Sequence, residues 1–170
     1  MYKGKPQISP QQYLDHIKSE YEDVGDPIVA EGQMKYMRGK FEYYGLKAPV
    51  WTAILKEIFK KEGLFEEEDL KEFVRLCFED IYREIHYAGL QMLEKKIKKQ
   101  EASFIDFLEE CILTESWWDT VDWINKLVGI HFKRYPNLQF LIANKWIESD
   151  NFWLQRTGLL FSTSARSFDQ

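Results

Sequence analysis

Cysteine is scarce in this sequence, with Cys77 and Cys111 as the two occurrences among 170 residues. Both lie in apolar helical patterns, VRLCFED and LEECIL, which predicts half-buried, reduced thiols of a cytosolic protein. A disulfide framework or a metal site would need closer or more numerous cysteines. The three histidines, His16, His86 and His131, are too widely spaced to form a ligand set. We therefore expect no metal site.

Long apolar runs and flexible linkers are also missing. The opening stretch MYKGKPQISP holds no apolar segment that could act as a signal peptide. No uninterrupted apolar stretch approaches the roughly 18–20 residues that span a bilayer. Five prolines and nine glycines are few, and they do not gather into a Ser/Gly/Pro-rich linker. We therefore expect a single domain over residues 1–170, with no membrane partner.

Positive charge is in the minority, since the formal net charge is -5 and the isoelectric point is about 5.3. Taken alone, this balance argues against a nucleic-acid partner, because phosphate-binding domains are usually basic. The stretch KYMRGKFEYYGLK nevertheless carries Lys35, Arg38, Lys40 and Lys47 against the single acid Glu42. The acids collect in FEEEDLKEF and FLEEC instead, which permits a polarised surface on an acidic protein.

Helix signals recur along the whole chain, whereas strand signals are nearly absent. Ser9 and Pro10 have the pattern of an N-cap followed by the first helical residue. A second helix is predicted from about Pro27 to Lys40, and a third opens at Pro49. One apolar face is predicted for Ile81, Ile85, Ala88, Met92 and Ile97. The sequence therefore predicts an all-α fold of about nine helices, in which periodicity alone does not choose between a bundle and a solenoid.

The stretch TESWWDTVDW, residues 114–123, places two tryptophans side by side. Adjacent helical positions lie about 100° apart, so both rings cannot point into one core. Ser116 and Asp119 have the spacing of a capping box, which would start the helix at Trp117. The core stripe of this helix is then predicted to consist of Trp117, Val121, Ile124 and Val128, flanked by Thr120, Leu127 and His131.

A second stripe of the same helix, formed by Trp118, Asp122, Asn125 and Gly129, does not have the composition of a core. Trp118 and Asp122 stand four residues apart, so their side chains can meet above the helix surface. An indole face beside a carboxylate is a site for a cation. Gly129 would let a ligand approach the backbone closely. The alternative, more common among aromatic stripes, is that Trp118 packs against another helix and Asp122 pairs with a lysine.

Three stretches together resemble the DNA alkylation repair family of HEAT-like-repeat DNA glycosylases. They are SWWDTVDW, KWIESDNFWLQRTGLLF and KYMRGKFEYYGLKAPV, and the resemblance runs from about residue 30 to residue 160. It implies a right-handed, armadillo-like solenoid of antiparallel HEAT-like helix pairs, whose positively charged concave face binds duplex DNA. The implied activity is hydrolysis of the N-glycosidic bond of purines alkylated at N3 or N7, without a metal or organic cofactor. The implied location is the bacterial cytosol, in association with the nucleoid.

The resemblance also assigns roles to particular residues. Trp118 and Asp122 take the positions that contact the damaged nucleotide, Arg156 that of the arginine in QRT, and Tyr36 that of a DNA-contacting tyrosine. Alkylation at N3 or N7 makes the purine cationic, and departure of the base leaves a cationic sugar. An aromatic face and a carboxylate stabilise that charge, and the carboxylate can position water. A lesion of this kind can be hydrolysed without a base-flipping pocket, the usual device of glycosylases.

Phosphate contacts are the expected role of the neighbouring cations Arg38, Lys40 and Lys47, and of Arg156. Arg156 is predicted to point away from the apolar side of its helix. That side is predicted to be formed by Trp153, Leu154, Thr157 and Leu160. The alternative for Arg156 is a surface salt bridge with the acids of WIESD, and each of the other cations can equally belong to a solvated face.

The end of the sequence departs from the family pattern. Members usually continue for several more helices that supply another tryptophan, whereas the polar stretch STSARSFDQ ends this sequence at Gln170. A shortened chain, a naturally short version and a reading-frame change near Phe161 are the three explanations. We expect an exposed apolar face on the final helix pair, weakened or absent glycosylase activity, and homodimerisation through that end as a consequence.

Two other functions stay open at this point. The first is a non-catalytic protein that binds damaged or branched DNA and keeps the scaffold without turnover. The missing C-terminal aromatic residue favours this function. A protein-interaction scaffold is the commonest use of helical repeats in general. The presence of Trp118 together with Asp122 favours the glycosylase. The sequence does not rank N3-alkyladenine against N7-alkylguanine.

Overall fold

The structure is a computed structural model that describes residues 4–164, with side chains up to Ser162. In that part of the chain there are nine α-helices, two short 3-10 helices and no β-strand. The same residues contain no helix that is both long and apolar enough to cross a bilayer. The predicted all-α class is confirmed, and the right-handed solenoid stays a prediction.

In chain order the helices are α1 (Pro10–Val24), α2 (Pro27–Tyr36), α3 (Ala48–Glu62), α4 (Glu67–Glu79), α5 (Arg83–Lys96), α6 (Ile105–Leu113), α7 (Trp118–Arg134), α8 (Pro136–Ile147) and α9 (Phe152–Ser164).

The first helix begins where the sequence predicts. Ser9 is the N-cap of α1, and its hydroxyl accepts the backbone N–H of Gln12 at 3.2 Å. The Gln12 side chain accepts the backbone N–H of Ser9 in return at 2.9 Å, which completes a capping box. Gly63 ends α3 with φ +92°, a left-handed conformation that glycine adopts without strain.

The second helix is shorter than predicted. It ends at Tyr36 rather than near Lys40, because Arg38 and Gly39 both adopt left-handed backbone conformations, with φ of 57° and 68°. The Gly39 N–H bonds to the carbonyl of Met34 at 2.8 Å, a turn that closes the helix. The glycine at position 39 indicates this turn in the sequence, whereas the arginine at position 38 gives no indication of its left-handed backbone.

The chain divides into two compact units, Met1–Leu93 and Glu94–Gln170. In the first unit α1 packs against α3 and α4. Tyr13 and Tyr21 of α1 are completely buried, and the Tyr13 hydroxyl donates to the carbonyl of Gly63 at 2.7 Å. The expectation of a single domain over residues 1–170 stays a prediction.

Two details of the predicted core are wrong. Cys77 and Cys111 are free thiols, as predicted, but they are fully buried rather than half-buried, and burial raises the pKa of the Cys77 thiol. Ile81 is 63% exposed, although it was predicted to share a face with Ile85, Ala88, Met92 and Ile97, which are all buried. Because α5 begins only at Arg83, Ile81 lies outside the helix and does not follow its periodicity.

A buried carboxylate fixes the loop between α2 and α3. Glu84 is completely buried and accepts the backbone N–H groups of Tyr44, Gly45 and Leu46 at 3.1, 3.0 and 3.2 Å. Burial raises the pKa of the Glu84 carboxyl, and the hydrogen bonds oppose that rise. Gly45 has φ +89°, and a Cβ atom there would lie 1.9 Å from the carbonyl oxygen of Asp26. The loop therefore has one conformation open to it.

The second unit contains a tight antiparallel pair, α8 and α9. Gln139 near the start of α8 donates to the carbonyl of Phe161 near the end of α9, at 3.0 Å. At the other end Asn151 caps α9, because its side chain accepts the N–H groups of Trp153 and Leu154 at 2.9 and 3.1 Å. Since α9 runs to Ser164, the first residues of STSARSFDQ continue the helix, contrary to expectation. Residues 165–170 lie outside the described part.

The same two helices present several large apolar side chains to solvent. Leu160 is 53% exposed, so it does not belong to the buried side of α9 as predicted; Leu154 and Thr157 do. The other exposed apolar residues of this pair are Phe140, Leu141, Phe152 and Leu159. An exposed apolar surface on the final helix pair is thus present in the described residues, and homodimerisation through it stays a prediction.

Candidate functional site

The tryptophan helix begins differently from the prediction. Trp117 is the N-cap of α7 in extended backbone, and no side chain caps the helix. The predicted capping box of Ser116 and Asp119 is wrong, because the Ser116 hydroxyl donates backwards to the carbonyl of Ile112 at the end of α6. Helical residues of α7 therefore start at Trp118, one position later than predicted.

The two adjacent tryptophans have different environments. Trp118 is 41% exposed, as the second stripe predicts. Trp117 is half-buried rather than part of the core, and its ring contacts the Trp153 ring edge-on at 6.0 Å between centroids. Trp153 in turn contacts Phe152 at 5.1 Å. The remaining core positions are confirmed, because Val121, Ile124, Val128, Thr120, Leu127 and His131 are buried.

Asp122 and Arg156 form an ion pair that neither alternative anticipated. The Arg156 guanidinium donates to one carboxylate oxygen of Asp122, Oδ1, at 3.1 Å. Asp122 thus pairs with an arginine rather than a lysine, and Arg156 pairs with α7 rather than with the acids of WIESD. The side chains are 49% and 50% exposed, and exposed pairs of this kind contribute about 0–1 kcal/mol. Both groups therefore remain available to a ligand.

A buried hydrogen bond lies one turn further along the same two helices. Asn125 is 6% exposed, and its side-chain oxygen accepts from the hydroxyl of Thr157 at 2.8 Å. The same hydroxyl lies 2.9 Å from the carbonyl of Trp153, so its single proton serves two acceptors. This contact joins α7 to α9 beside the Asp122–Arg156 pair and restricts how the two helices can slide.

Gly129 is partly exposed, so the expectation that a ligand can approach its backbone closely stays a prediction. A Cβ atom at this position would meet the Phe161 ring at 3.5 and 3.6 Å, which is ordinary van der Waals contact. Phe161 also packs edge-on against Phe132, with ring centroids 5.2 Å apart. An aromatic ring of the same unit therefore occupies one side of Gly129.

Replacing Gly129 by alanine is expected to stabilise the second unit. Alanine is favoured over glycine in a helix interior by about 1 kcal/mol, and the new methyl group meets Phe161 without a clash. Urea denaturation followed by tryptophan fluorescence measures the change. A stability loss in Gly129→Ala would mean that the Phe161 ring lies closer than the structure places it.

The side chains of α7 and α9 line an open groove with a volume of about 950 Å³. Asp122, Asn125 and Arg156 contribute its polar wall, and Phe152, Leu159 and Leu160 contribute much of its apolar wall. Trp118 is not a lining residue, although it precedes Asp122 by one helical turn. Asp122 thus lies between an exposed indole and a concave surface large enough for part of a nucleotide.

The remaining candidates lie around the α2–α3 connection of the first unit. Tyr36 is 73% exposed at the last residue of α2, and Arg38 and Lys40 are exposed in the turn that follows. Lys47 is exposed at the N-cap of α3. Gln33 donates to the carbonyl of Leu46 at 3.0 Å, which ties this end of the connection to α2. The structure therefore presents these four side chains to solvent on one short segment.

Across residues 4–164 the structure contains no group of three or more histidine, cysteine, aspartate or glutamate side chains that could hold a metal ion. The polar groups that line the groove are the carboxylate of Asp122, the amides of Asn125 and Gln155, the guanidinium of Arg156 and the ammonium of Lys126, with the exposed Trp118 indole nearby. Such a set can bind a cation through the carboxylate and indole and an anion through the guanidinium.

A family model described as DNA alkylation repair enzyme matches residues 17–167. The chain belongs to the DNA alkylation repair enzyme family. A solved structure with the same fold is the "Predicted DNA alkylation repair enzyme from Enterococcus faecalis", at a TM-score of 0.75. The two sequences are 20% identical, and the match covers 86% of this chain and 68% of that chain. No curated protein gives a significant match to this alkylation repair sequence.

Sequence reasoning missed two features of this alkylation repair protein. Glu84 appeared as one charge among many, although its apolar neighbours in IYREIHYAG suggest burial. The Asn125–Thr157 bond joins residues 32 positions apart, and no sequence signal indicates it. Both features position candidate site residues, because Glu84 holds the segment before Lys47 and Thr157 directly follows Arg156.

Proposed function

We propose that this alkylation repair protein is a DNA glycosylase for cationic purines alkylated at N3 or N7 in duplex DNA. Family membership supports a role in DNA repair and DNA as the partner. The observation that carries the finer proposal is the exposed pair of Trp118 and Asp122 on one face of α7, four residues apart. The proposed site of action is the cytosol, at the nucleoid, with no metal or organic cofactor.

The chemistry that these two side chains supply is stabilisation of positive charge. The Trp118 ring attracts the cationic purine and the developing cationic sugar through its electron-rich face. The Asp122 carboxylate adds a formal negative charge, and it can accept a proton from the attacking water. Since the alkylated base leaves as a neutral molecule, the reaction needs little help from a general acid. An open groove, rather than an enclosed pocket, is compatible with this demand.

DNA contacts are the proposed role of the exposed cations. Arg156 is proposed to contact a phosphate near the lesion, and its single, half-exposed bond to Asp122 leaves donors available for this contact. Tyr36, Arg38, Lys40 and Lys47 are proposed to contact the DNA backbone from the first unit. Contacts of this kind fix the position of the duplex without reading its sequence.

A DNA-binding protein without turnover is the second candidate. It is favoured by the ion pair with Arg156, which neutralises the carboxylate that catalysis would use. The two candidates differ in what happens to bound, damaged DNA, so one set of samples can separate them.

The decisive experiment measures base release from duplex DNA carrying N7-methylguanine. We expect the parent chain to release the base above the spontaneous rate, and Trp118→Ala and Asp122→Asn each to lower the enzymatic rate by about 100-fold. Asp119→Asn is the matched control, because it removes a carboxylate three residues earlier on the same helix and should keep the parental rate.

DNA binding on the same samples distinguishes the remaining outcomes. Retained binding with no release above the spontaneous rate would replace the glycosylase by the second candidate. An equal loss of base-release activity in Asp119→Asn and Asp122→Asn would show that any change of charge in α7 lowers activity. Asp122 would then have no special role. Absence of both binding and release would reject both candidates.

A further inference from the structure

The buried amide of Asn125 offers a donor that the protein itself does not use. Its oxygen accepts from Thr157, and within the described residues its nitrogen, Nδ2, has no hydrogen-bond partner. The side chain is 94% buried, because its exposed fraction is 6%, and it lines the groove between α7 and α9. This nitrogen is not among the described side-chain atoms that are both fully buried and without a partner, so it can reach a molecule in the groove.

The carboxylate one turn earlier offers the complementary acceptor. Arg156 bonds to Oδ1 of Asp122, and in the described part of the chain the second oxygen, Oδ2, has no partner. Asp122 and Asn125 are three residues apart in α7, which places their Cβ atoms about 5–6 Å from each other on one face of the helix. The groove therefore presents an unpaired donor and an unpaired acceptor on neighbouring turns of one face of α7.

The kind of ligand follows from this pairing. A phosphate oxygen is an acceptor only, so it can pair with the Asn125 amide but not with the free carboxylate oxygen of Asp122. Water is both donor and acceptor, and it can accept from the Asn125 amide while it donates to the Asp122 carboxylate. We propose that Asn125 and Asp122 together hold the water that attacks the sugar, so that Asn125 is a catalytic residue of the proposed glycosylase.

The step that this geometry supports is balanced. The water oxygen keeps one lone pair free and forms a bond to the anomeric carbon of the deoxyribose. The bond from that carbon to the purine nitrogen breaks, and its electron pair neutralises the cationic base, which leaves. The water proton passes to Asp122 and then to solvent. The Thr157 hydroxyl acts as a positioning group, because its bond to the amide oxygen restrains the orientation of the Asn125 amide.

The inference rests on the proposed function, and the test uses the same base-release reaction under single-turnover conditions. Asn125→Asp is the sharpest variant, because it keeps the oxygen that accepts from Thr157 and replaces the free donor by an acceptor. We expect a rate lower by 10-fold or more, with the dissociation constant for the DNA changed less than about two-fold. Asn144→Asp, which makes the same charge change in α8, is the matched control and should keep the parental rate.

A second variant covers the case in which a new buried charge unfolds the protein. Asn125→Ser is uncharged and smaller, and thermal unfolding monitored by circular dichroism shows whether either variant is folded. A folded Asn125→Ser with a 10-fold slower release and unchanged DNA affinity supports the inference.

The contrary outcomes are distinct from one another. Parental rates in folded Asn125 variants overturn the inference and leave the glycosylase standing. A rate that falls only in proportion to DNA affinity makes Asn125 a DNA contact instead of a holder of water. No release by the parent chain overturns the proposed function, and the role of Asn125 falls with it.

Discussion

Replacing Glu84 by alanine is expected to lower the free energy of unfolding of the first unit by about 3–5 kcal/mol. The substitution leaves the backbone N–H groups of Tyr44, Gly45 and Leu46 without a partner in a buried site. Each unpaired buried group costs about 1–3 kcal/mol, and the recovered hydration of the carboxylate offsets part of the sum. Urea denaturation followed by circular dichroism gives the change. Glu72→Ala, at an exposed position of α4, is the control and should stay within about 0.5 kcal/mol of the parent.

The pH dependence of the same site has a definite sign. Burial raises the pKa of Glu84 in the folded state above its usual 4.5. Between the pKa of Glu84 in the unfolded state and its higher pKa in the folded state, the folded state binds more protons. The contribution of Glu84 to the free energy of unfolding is therefore fully present below about pH 4.5 and falls as the pH rises. Glutamine does not titrate, so the stability lost in Glu84→Gln should be larger at pH 4 than at pH 7. A loss of stability in Glu84→Gln that grows towards pH 7 would contradict a raised pKa of Glu84 in the folded state.

The functional consequence of a Glu84 substitution should appear in DNA affinity. The loop that Glu84 holds leads directly into Lys47 and follows the turn with Arg38 and Lys40. If the loop loosens, these cations lose their fixed positions, and binding must then order them again at a cost in entropy. We expect weaker DNA binding by Glu84→Ala at temperatures where the variant is still folded.

Replacing Gly158 by alanine is expected to destabilise the second unit by about 2–4 kcal/mol. A Cβ atom there would lie 2.6 Å from the carbonyl oxygen of Ala143 and 2.9 Å from the backbone nitrogen of Ile147. Both are backbone atoms of α8, so relief requires α8 and α9 to move apart, which is the costly form of overpacking. Arg156 lies two residues before the contact and would move with α9.

Gly129→Ala is the matched control for this substitution. Both glycines lie in helices of the second unit, so both gain the same helix propensity from alanine. At Gly129 the new methyl group meets a side chain at ordinary contact distance, whereas at Gly158 it meets backbone. Thermal unfolding of the two variants should therefore shift in opposite directions. A stabilising shift in both variants would mean that the α8–α9 separation is larger than the structure shows.

Local signals in the sequence predict much of the fold. Ser9 with Pro10 and the glycine at 63 mark helix ends through their own backbone chemistry, and the structure places helix ends there. These signals act within one turn of helix, so they do not depend on which helices pack together. The left-handed backbone of Arg38 is a local feature without a sequence signal, and it accounts for the wrong end of α2.

The candidate site could be predicted only in part, because its contacts join distant positions. The helical period correctly separates an exposed Trp118 from the buried face of α7. It does not show that Arg156, 34 residues later, bonds to Asp122. It also places Trp117 in the core, where the structure instead gives it half-burial against Trp153. Contacts of this kind depend on how α7 packs against α9, and the periodicity of a single helix carries no information about that packing.

The bond between Arg156 and Asp122 has a consequence for how a polyanion can approach this groove. A bare carboxylate would repel phosphates across a distance of about 8–10 Å at physiological ionic strength. With the guanidinium 3.1 Å away, that field is cancelled while the protein is free of DNA. A phosphate that draws Arg156 to itself would then uncover the carboxylate only after the duplex has arrived. Under the proposed function, the arginine would act as a removable electrostatic shield between the Asp122 carboxylate and the phosphates of the DNA.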